Sequence, residues 1–309
     1  MSSLNSSLII SISAKINYYF AIFLFIFGTI GNTLNILVLS QRTLRLNPCA
    51  WLFYVSSVFN LISIVSGLST RILLNFNFDP TDQIELLCQL RAFTLLTSRN
   101  IAYWLIMLAT FDRWLLSCIN VHYRRLSKLK NAKRGMMIII ISSIIIYSPI
   151  FYCYEPNMID TPLKCYSKTI KCRILTDQIY TFLTILIPLI LMMLFGCLTM
   201  LNVRQMHHRL QIPFIFRRDH RQRLKSIDRH LLIMLLIQIT FLTLLTLPQS
   251  IEMIYLTITT NQFKSSLQNT IENSIFTFSL LLTYLASGIP FYIYTLCGGR
   301  AFRQRYFCF

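Results

Sequence analysis

Seven stretches of this chain are apolar for about 20 residues or more. They run from about 18 to 40, 50 to 74, 86 to 118, 135 to 153, 174 to 203, 228 to 258 and 267 to 296. In hydrocarbon every backbone N–H and C=O must be bonded within its own segment or inside a closed barrel. A barrel would need short alternating strands, so these runs are expected to be helices. The predicted fold is an all-α membrane protein: an extracellular N-terminus (1–17), a seven-helix transmembrane bundle (18–296) and a short amphipathic cytoplasmic helix with tail (297–309). A composition 55% hydrophobic and 13% charged is too apolar for one soluble domain and fits this class. The first 15 residues lack a basic n-region and a small-residue cleavage site, so the first run is expected to remain as a helix.

A net charge of +18 would suggest nucleic acid in a soluble protein. Here the cations lie between the apolar runs, and the positive-inside rule accounts for them. With the N-terminus outside, Arg42 and Arg45 fall in the first inner loop, Arg124, Arg125, Lys128, Lys130, Lys133 and Arg134 in the second, and Arg300, Arg303 and Arg305 in the tail. The third inner loop, about 204 to 228, is also basic, which suits a solvated loop or an acidic partner surface or anionic headgroups. Most acids then lie outside. The expected location is the plasma membrane, with a cytoplasmic C-terminus, lipid contact and no nucleic-acid partner. Asn5-Ser6-Ser7 is a glycosylation sequon on the outer side. The nine cysteines form no regular framework, and neither they nor His207 and His208 show zinc spacing. No metal or other cofactor is expected.

Charges inside or at the ends of spans are costly and are usually kept for a purpose. Asp112-Arg113-Trp114 ends the third run on its inner side, and Cys88 stands near its outer end, 25 residues before Arg113. Gly31-Asn32 lies in the first run, Pro188 in the fifth, Pro248 in the sixth, and Pro290-Phe291-Tyr292-Ile293-Tyr294, followed by Gly298, Gly299, Phe302 and Arg303, ends the seventh. Over nearly its whole length the chain resembles the rhodopsin-like G-protein-coupled receptors. Asp112-Arg113-Trp114 is similar to their Asp-Arg-Tyr motif, and the seventh-run ending resembles the Asn-Phe-x-x-Tyr variant of FMRFamide-type neuropeptide receptors. Pro290 then stands at the asparagine position, with Tyr294 as the switch tyrosine.

The resemblance implies a non-enzymatic receptor coupling an extracellular ligand to a heterotrimeric G protein. Arg113 can be held by Asp112 and by Asp228, which lies 20 residues before Pro248 at the inner start of the sixth run. A cross-helix pair of this kind is a bistable element that a ligand can bias. Asp228 equally suits a helix start as an acid favoured by the macrodipole. Pro188, Pro248 and Pro290 each remove a backbone hydrogen bond and permit kinks. The resemblance also implies a disulfide from Cys88 to the second outer loop. Cys153, Cys165 and Cys172 compete for it. Cys165 is favoured, with slack before Pro188, and Cys172 is left to Cys153 or to a free thiol. Asn32 is expected to pack between helices. Asn60 replaces the usual sodium-binding aspartate and should coordinate a cation less well. Thr246 replaces the toggle tryptophan, and the fourth run has no tryptophan.

Leu95 occupies the position of the amine-binding aspartate and Tyr284 that of the retinal lysine, so neither amine nor retinal is expected. The candidate ligand residues are Arg71, Arg91, Arg99, Tyr180, Gln249, Glu252 and Tyr255, with Tyr103 and Glu272 nearby. Arg99 lies about three turns below Cys88, facing a cavity or an internal partner. Glu252 is expected to meet Arg99 or a ligand's arginine. This mixed, aromatic set suits an amidated peptide with a basic side chain. The alternatives are a chemosensory receptor for small molecules and a small solute transporter using Arg99 and Glu252. A transporter predicts paired broken helices and internal symmetry, which the sequence does not show. An intramembrane hydrolase lacks any legible nucleophile, base and oxyanion set.

Overall fold

The computed structural model describes residues 2–74, 81, 83–158, 164–209, 219–259, 262 and 265–297. The side chains of 2–10, 43, 74, 206–209, 219–232, 266 and 294–297 lie outside that description. Six helices are long and apolar enough to cross a membrane. The first is Ser2–Leu39, the second Pro48–Leu74 and the third Glu85–Ser117. The fourth is Leu129–Tyr147, continued after Pro149 by Ile150–Cys153. The fifth is built from Ile170–Gln178, a wide π turn at Ile179–Leu186 and Ile187–Arg209. The sixth is Asp219–Ile258. A seventh, Ser266–Gly288, has a more polar start and continues as Pro290–Cys297.

Local chemistry sets the helix starts. The Asn47 side-chain oxygen accepts from the backbone N–H groups of Cys49 and Ala50, and Pro48 follows it at the first helical position. Thr169 and Ser265 accept from Cys172 N and Gln268 N in the same way. Pro290 cannot donate to the preceding turn, and the seventh helix is interrupted at Ile289. Four helices extend beyond the expected runs. The first begins at Ser2 instead of Tyr18, so most of the segment expected as an N-terminal tail has helical backbone, including Asn5 of the sequon. The fourth, fifth and sixth begin at Leu129, Ile170 and Asp219, before their apolar runs. Hydropathy marks where a helix is apolar, and in the fourth, fifth and sixth helices helix-forming Lys, Arg and Gln carry it further. The expected short helix and tail after 297 lie outside the described residues.

The third helix is the centre of the bundle and packs against the second, fourth and fifth. The first packs on the second and seventh, and the sixth on the fifth and seventh, which closes the ring. The first and seventh approach at glycine: a Cβ on Gly288 would stand 3.1 Å from the Gly28 Cα. Such small-residue contacts replace hydrophobic drive where the surroundings are themselves apolar. Outward faces remain apolar, as with Ile138, Ile141 and Ile145 on the fourth helix and Tyr19, Phe23 and Ile26 on the first.

Between the fourth and fifth helices a small antiparallel hairpin pairs Tyr154 with Ser167 and Glu155 with Tyr166. Two disulfides anchor it: Cys88–Cys165 (Cα–Cα 5.7 Å) and Cys153–Cys172 (5.4 Å). The first is the pairing favoured from sequence. The second joins Cys172 to Cys153.

Candidate functional site

Under the hairpin lies a cavity of about 70 Å³ walled by the third, fifth, sixth and seventh helices. Tyr154, Cys165 and Tyr166 of the hairpin segment cover it. The Gln89 amide, on the third helix, donates to Tyr154 O (3.2 Å) and to Glu85 (2.9 Å). Tyr166 Oη donates to the Asp177 carboxylate (3.3 Å), and Arg173 lies 3.7 Å from the same group. Burial first, and then the Asp177 charge, push the Tyr154 and Tyr166 phenols above the usual tyrosine range. Both phenols stay neutral at physiological pH.

Arg99 is the deepest charge in this half of the bundle, with 0% of its surface exposed. Its Nη1 donates to Tyr180 Oη at 2.9 Å, and its Cζ lies 4.3 Å from the centroid of the Tyr284 ring. A desolvated cation over an aromatic face gains about 2 kcal/mol or more. Among the described residues its Nε and Nη2 meet no acceptor. Tyr284 can sit beneath Arg99 because the second helix offers no side chain at Gly67. A Cβ there would stand 1.9 Å from Tyr284 Oη. Arg91 also lines the cavity and donates to Thr81 Oγ1 at 3.2 Å. Arg71, on the last turn of the second helix, is close enough to feel the charges of Arg91 and Arg99, and its buried Nη2 has no acceptor among the described residues.

Below the cavity, side chains join the third, fourth and fifth helices. Asn100 donates to Ser143 (2.8 Å) and accepts from Thr184 (3.0 Å). Thr184 is also bonded to Tyr147, and Trp104 Nε1 donates to Leu183 O at 2.8 Å. Thr184 and Leu183 both belong to the π turn, whose wider winding turns polar groups toward neighbouring helices. Asn32 donates to Ser287 O (3.1 Å) and so ties the first helix to the seventh. Asn35 and Ser56 donate to Ser57 (2.8 Å) and Ala102 O (3.2 Å) respectively.

At the opposite end, Arg113 Nη2 donates to Asn47 Oδ1 at 2.6 Å, so Arg113 is tied to the capped start of the second helix. Asp112 Oδ1 accepts from Ser127 at 2.6 Å, in the segment that follows the short helix Val121–Leu126. Trp114 packs among Phe111, Phe195 and Tyr123. Asn202, on the fifth helix, donates to Ser117 at 3.1 Å. The motif residues of the third helix thus reach the second helix, the following loop and the fifth helix.

The family sequence model of 7 transmembrane receptors (rhodopsin family) matches residues 31–294. The chain belongs to this family. It is therefore a multi-pass membrane receptor and not an enzyme. No curated protein matches the chain.

The receptor brings three of the expected ligand residues, Arg91, Arg99 and Tyr180, to one cavity. Arg71 stands close by, but Gln249 and Glu252, both buried, do not line it. The expected Arg99–Glu252 pair does not form: Arg99 meets tyrosines, while Glu252 faces Ser279 and Glu272. Tyr255 is exposed and donates to Glu272 at 3.1 Å, away from the cavity. Asn60 is buried, and its amide oxygen has no hydrogen-bond donor among the described residues. Thr246 is fully buried and bonds its own helix at Leu242 O (2.7 Å), leaving no group to act as an indole would. The Asp228 and Tyr294 side chains lie outside the described residues, as does that of Asn5. The neighbouring Tyr292 stacks on Phe27 and donates to Phe27 O at 3.1 Å.

Sequence reading missed Asn47, Ser127, Asn202 and Gly67. Asn47-Pro48 carried a helix-start signal, but nothing in the sequence told that the cap would also reach Arg113.

Proposed function

We propose that the receptor sits in the plasma membrane with its N-terminus and hairpin outside, takes an extracellular ligand at the hairpin end, and activates a heterotrimeric G protein at the Arg113 end. The observation that carries this reading is the Arg113–Asn47 bond. It ties the arginine of the Asp-Arg motif to the start of the second helix, which suits a resting state in which Arg113 is not offered to a partner. Ligand binding shifts the population toward a state in which Arg113 leaves Asn47 and meets the G protein. Asp228 is a further partner for Arg113 in the resting state, and Tyr294 a candidate partner after release. Asn5 is the proposed glycan site.

For the ligand, the resemblance favours an amidated neuropeptide, whose basic side chain would seek Glu252. The small cavity lined by Arg91 and Arg99 favours instead the small-molecule reading. A cell reporter assay covering several G-protein classes, screened with amidated peptides and with small acids, tests the proposal. A response that disappears on Arg113→Ala supports it. A well-expressed, surface-exposed receptor silent to the whole panel counts against it.

A further inference from the structure

Among the described residues the cavity has a surplus of positive charge. Arg91 and Arg99 line it and Arg71 stands within their field. The one described carboxylate on its wall, Asp177, is engaged by Arg173 and Tyr166. The carboxylates of Glu252 and Glu272 face each other's side of the sixth and seventh helices and not Arg99. Arg99 is wholly buried and, among the described residues, two of its guanidinium nitrogens have no acceptor, and one of Arg71 has none. A buried cation without a counter-charge is unfavourable, and Tyr284 offsets that only in part. The free donors on one planar guanidinium match the two oxygens of a carboxylate. The remaining wall, Leu95, Leu96, Met253, Phe276 and Leu280, is apolar. About 70 Å³ is far below the roughly 300–1,000 Å³ of drug-sized sites.

We propose that Arg99, flanked by Arg91 and Arg71, binds the carboxylate of a small amphipathic acid whose short apolar body lies along this wall. The inference rests on the receptor reading for its consequence, signalling, but its binding step is measurable by itself.

The test uses the purified full chain in lipid nanodiscs. The probes are straight-chain monocarboxylates from acetate to octanoate, each with its matching primary amide, and the readout is the melting temperature. A carboxylate of some length raises it by several degrees at saturation while its amide does not, and Arg99→Gln removes the rise. Because Arg99→Gln alters a buried site, Arg91→Gln at a partly exposed position is the second variant, and it weakens carboxylate binding at least about tenfold. If the amides stabilise as well as the acids, if no acid stabilises, or if the effect survives both substitutions, the inference is overturned. Basal nucleotide exchange by Asn47→Ala, which needs no ligand, separates the two readings. Exchange without acid binding overturns the anion site and leaves the receptor reading standing. Acid binding without exchange from any variant does the reverse.

Discussion

Asn47→Ala perturbs the proposed inner lock most directly. The Asn47 oxygen serves three donors: Arg113 Nη2 at 2.6 Å, Cys49 N at 3.0 Å and Ala50 N at 3.4 Å. A hydrogen bond to a charged group contributes about 1.5–3 kcal/mol. Its loss from the resting state alone shifts the equilibrium roughly 10- to 150-fold toward release. An open population of about 1% would rise to roughly 10–60%. The lost cap costs about 1 kcal/mol of helix stability, but it acts on both states and does not by itself open the inner face. Two controls separate these effects. Asn47→Ser keeps a capping oxygen on a shorter side chain, so it should raise basal exchange as alanine does with little loss of melting temperature. Asn47→Asp keeps the acceptor and adds charge, so exchange should stay at or below wild type. The assay is nucleotide exchange on purified G protein by equal amounts of folded receptor without ligand. Unchanged exchange for Asn47→Ala, or an equal rise for Asn47→Asp, would refute the reasoning.

Other substitutions test the outer half. Opening Cys88–Cys165, with a sequence separation of 77, should destabilise more than opening Cys153–Cys172, with 19; loop entropy makes the difference about 1.2 kcal/mol, readable from melting temperatures of the serine variants. Gly67→Ala forces a Cβ into Tyr284 Oη and should cost about 1–3 kcal/mol. Adding Tyr284→Phe should restore only part, since the Tyr284 Cζ would still lie 2.6 Å away. The raised folded-state values of Tyr154 and Tyr166 mean that their contribution is complete below the unfolded tyrosine pKa and is lost as pH climbs above it. Tyrosinate absorbance should therefore lag for these two phenols in the folded receptor, and a simultaneous titration of all tyrosines would contradict their burial.

The helices were legible because the membrane demands length and apolarity, and both are visible one residue at a time. Arg99, Cys88, Cys165 and Arg113 were legible for a related reason: a charge or a cysteine in such a setting is expensive or reactive. What stayed hidden depended on rotation about a helix axis. Polar residues of the sixth helix, such as Gln238, Thr240, Thr243 and Thr246, are spread around it and mark no single face, so Glu252, Gln249 and Tyr255 could be placed along it but not around it. Only the structure turns Tyr255 outward. The hairpin was invisible because its strands have two residues each, too few for any alternation. Gly67 gave no sign because its role is to leave room for a side chain 217 positions away. The π turn likewise arises from tertiary bonds to Trp104, Asn100 and Tyr147.

The central claim is that Arg113 is the output of a receptor that drives a G protein. Its most direct test is nucleotide exchange on purified heterotrimeric G proteins by the full chain in nanodiscs, beside Arg113→Ala and empty nanodiscs. The account predicts exchange above the empty control for the wild type with at least one G-protein class, a further rise for Asn47→Ala, and a return to the control for Arg113→Ala. Exchange by Arg113→Ala equal to wild type, or none from folded wild type and Asn47→Ala with every class, would contradict it.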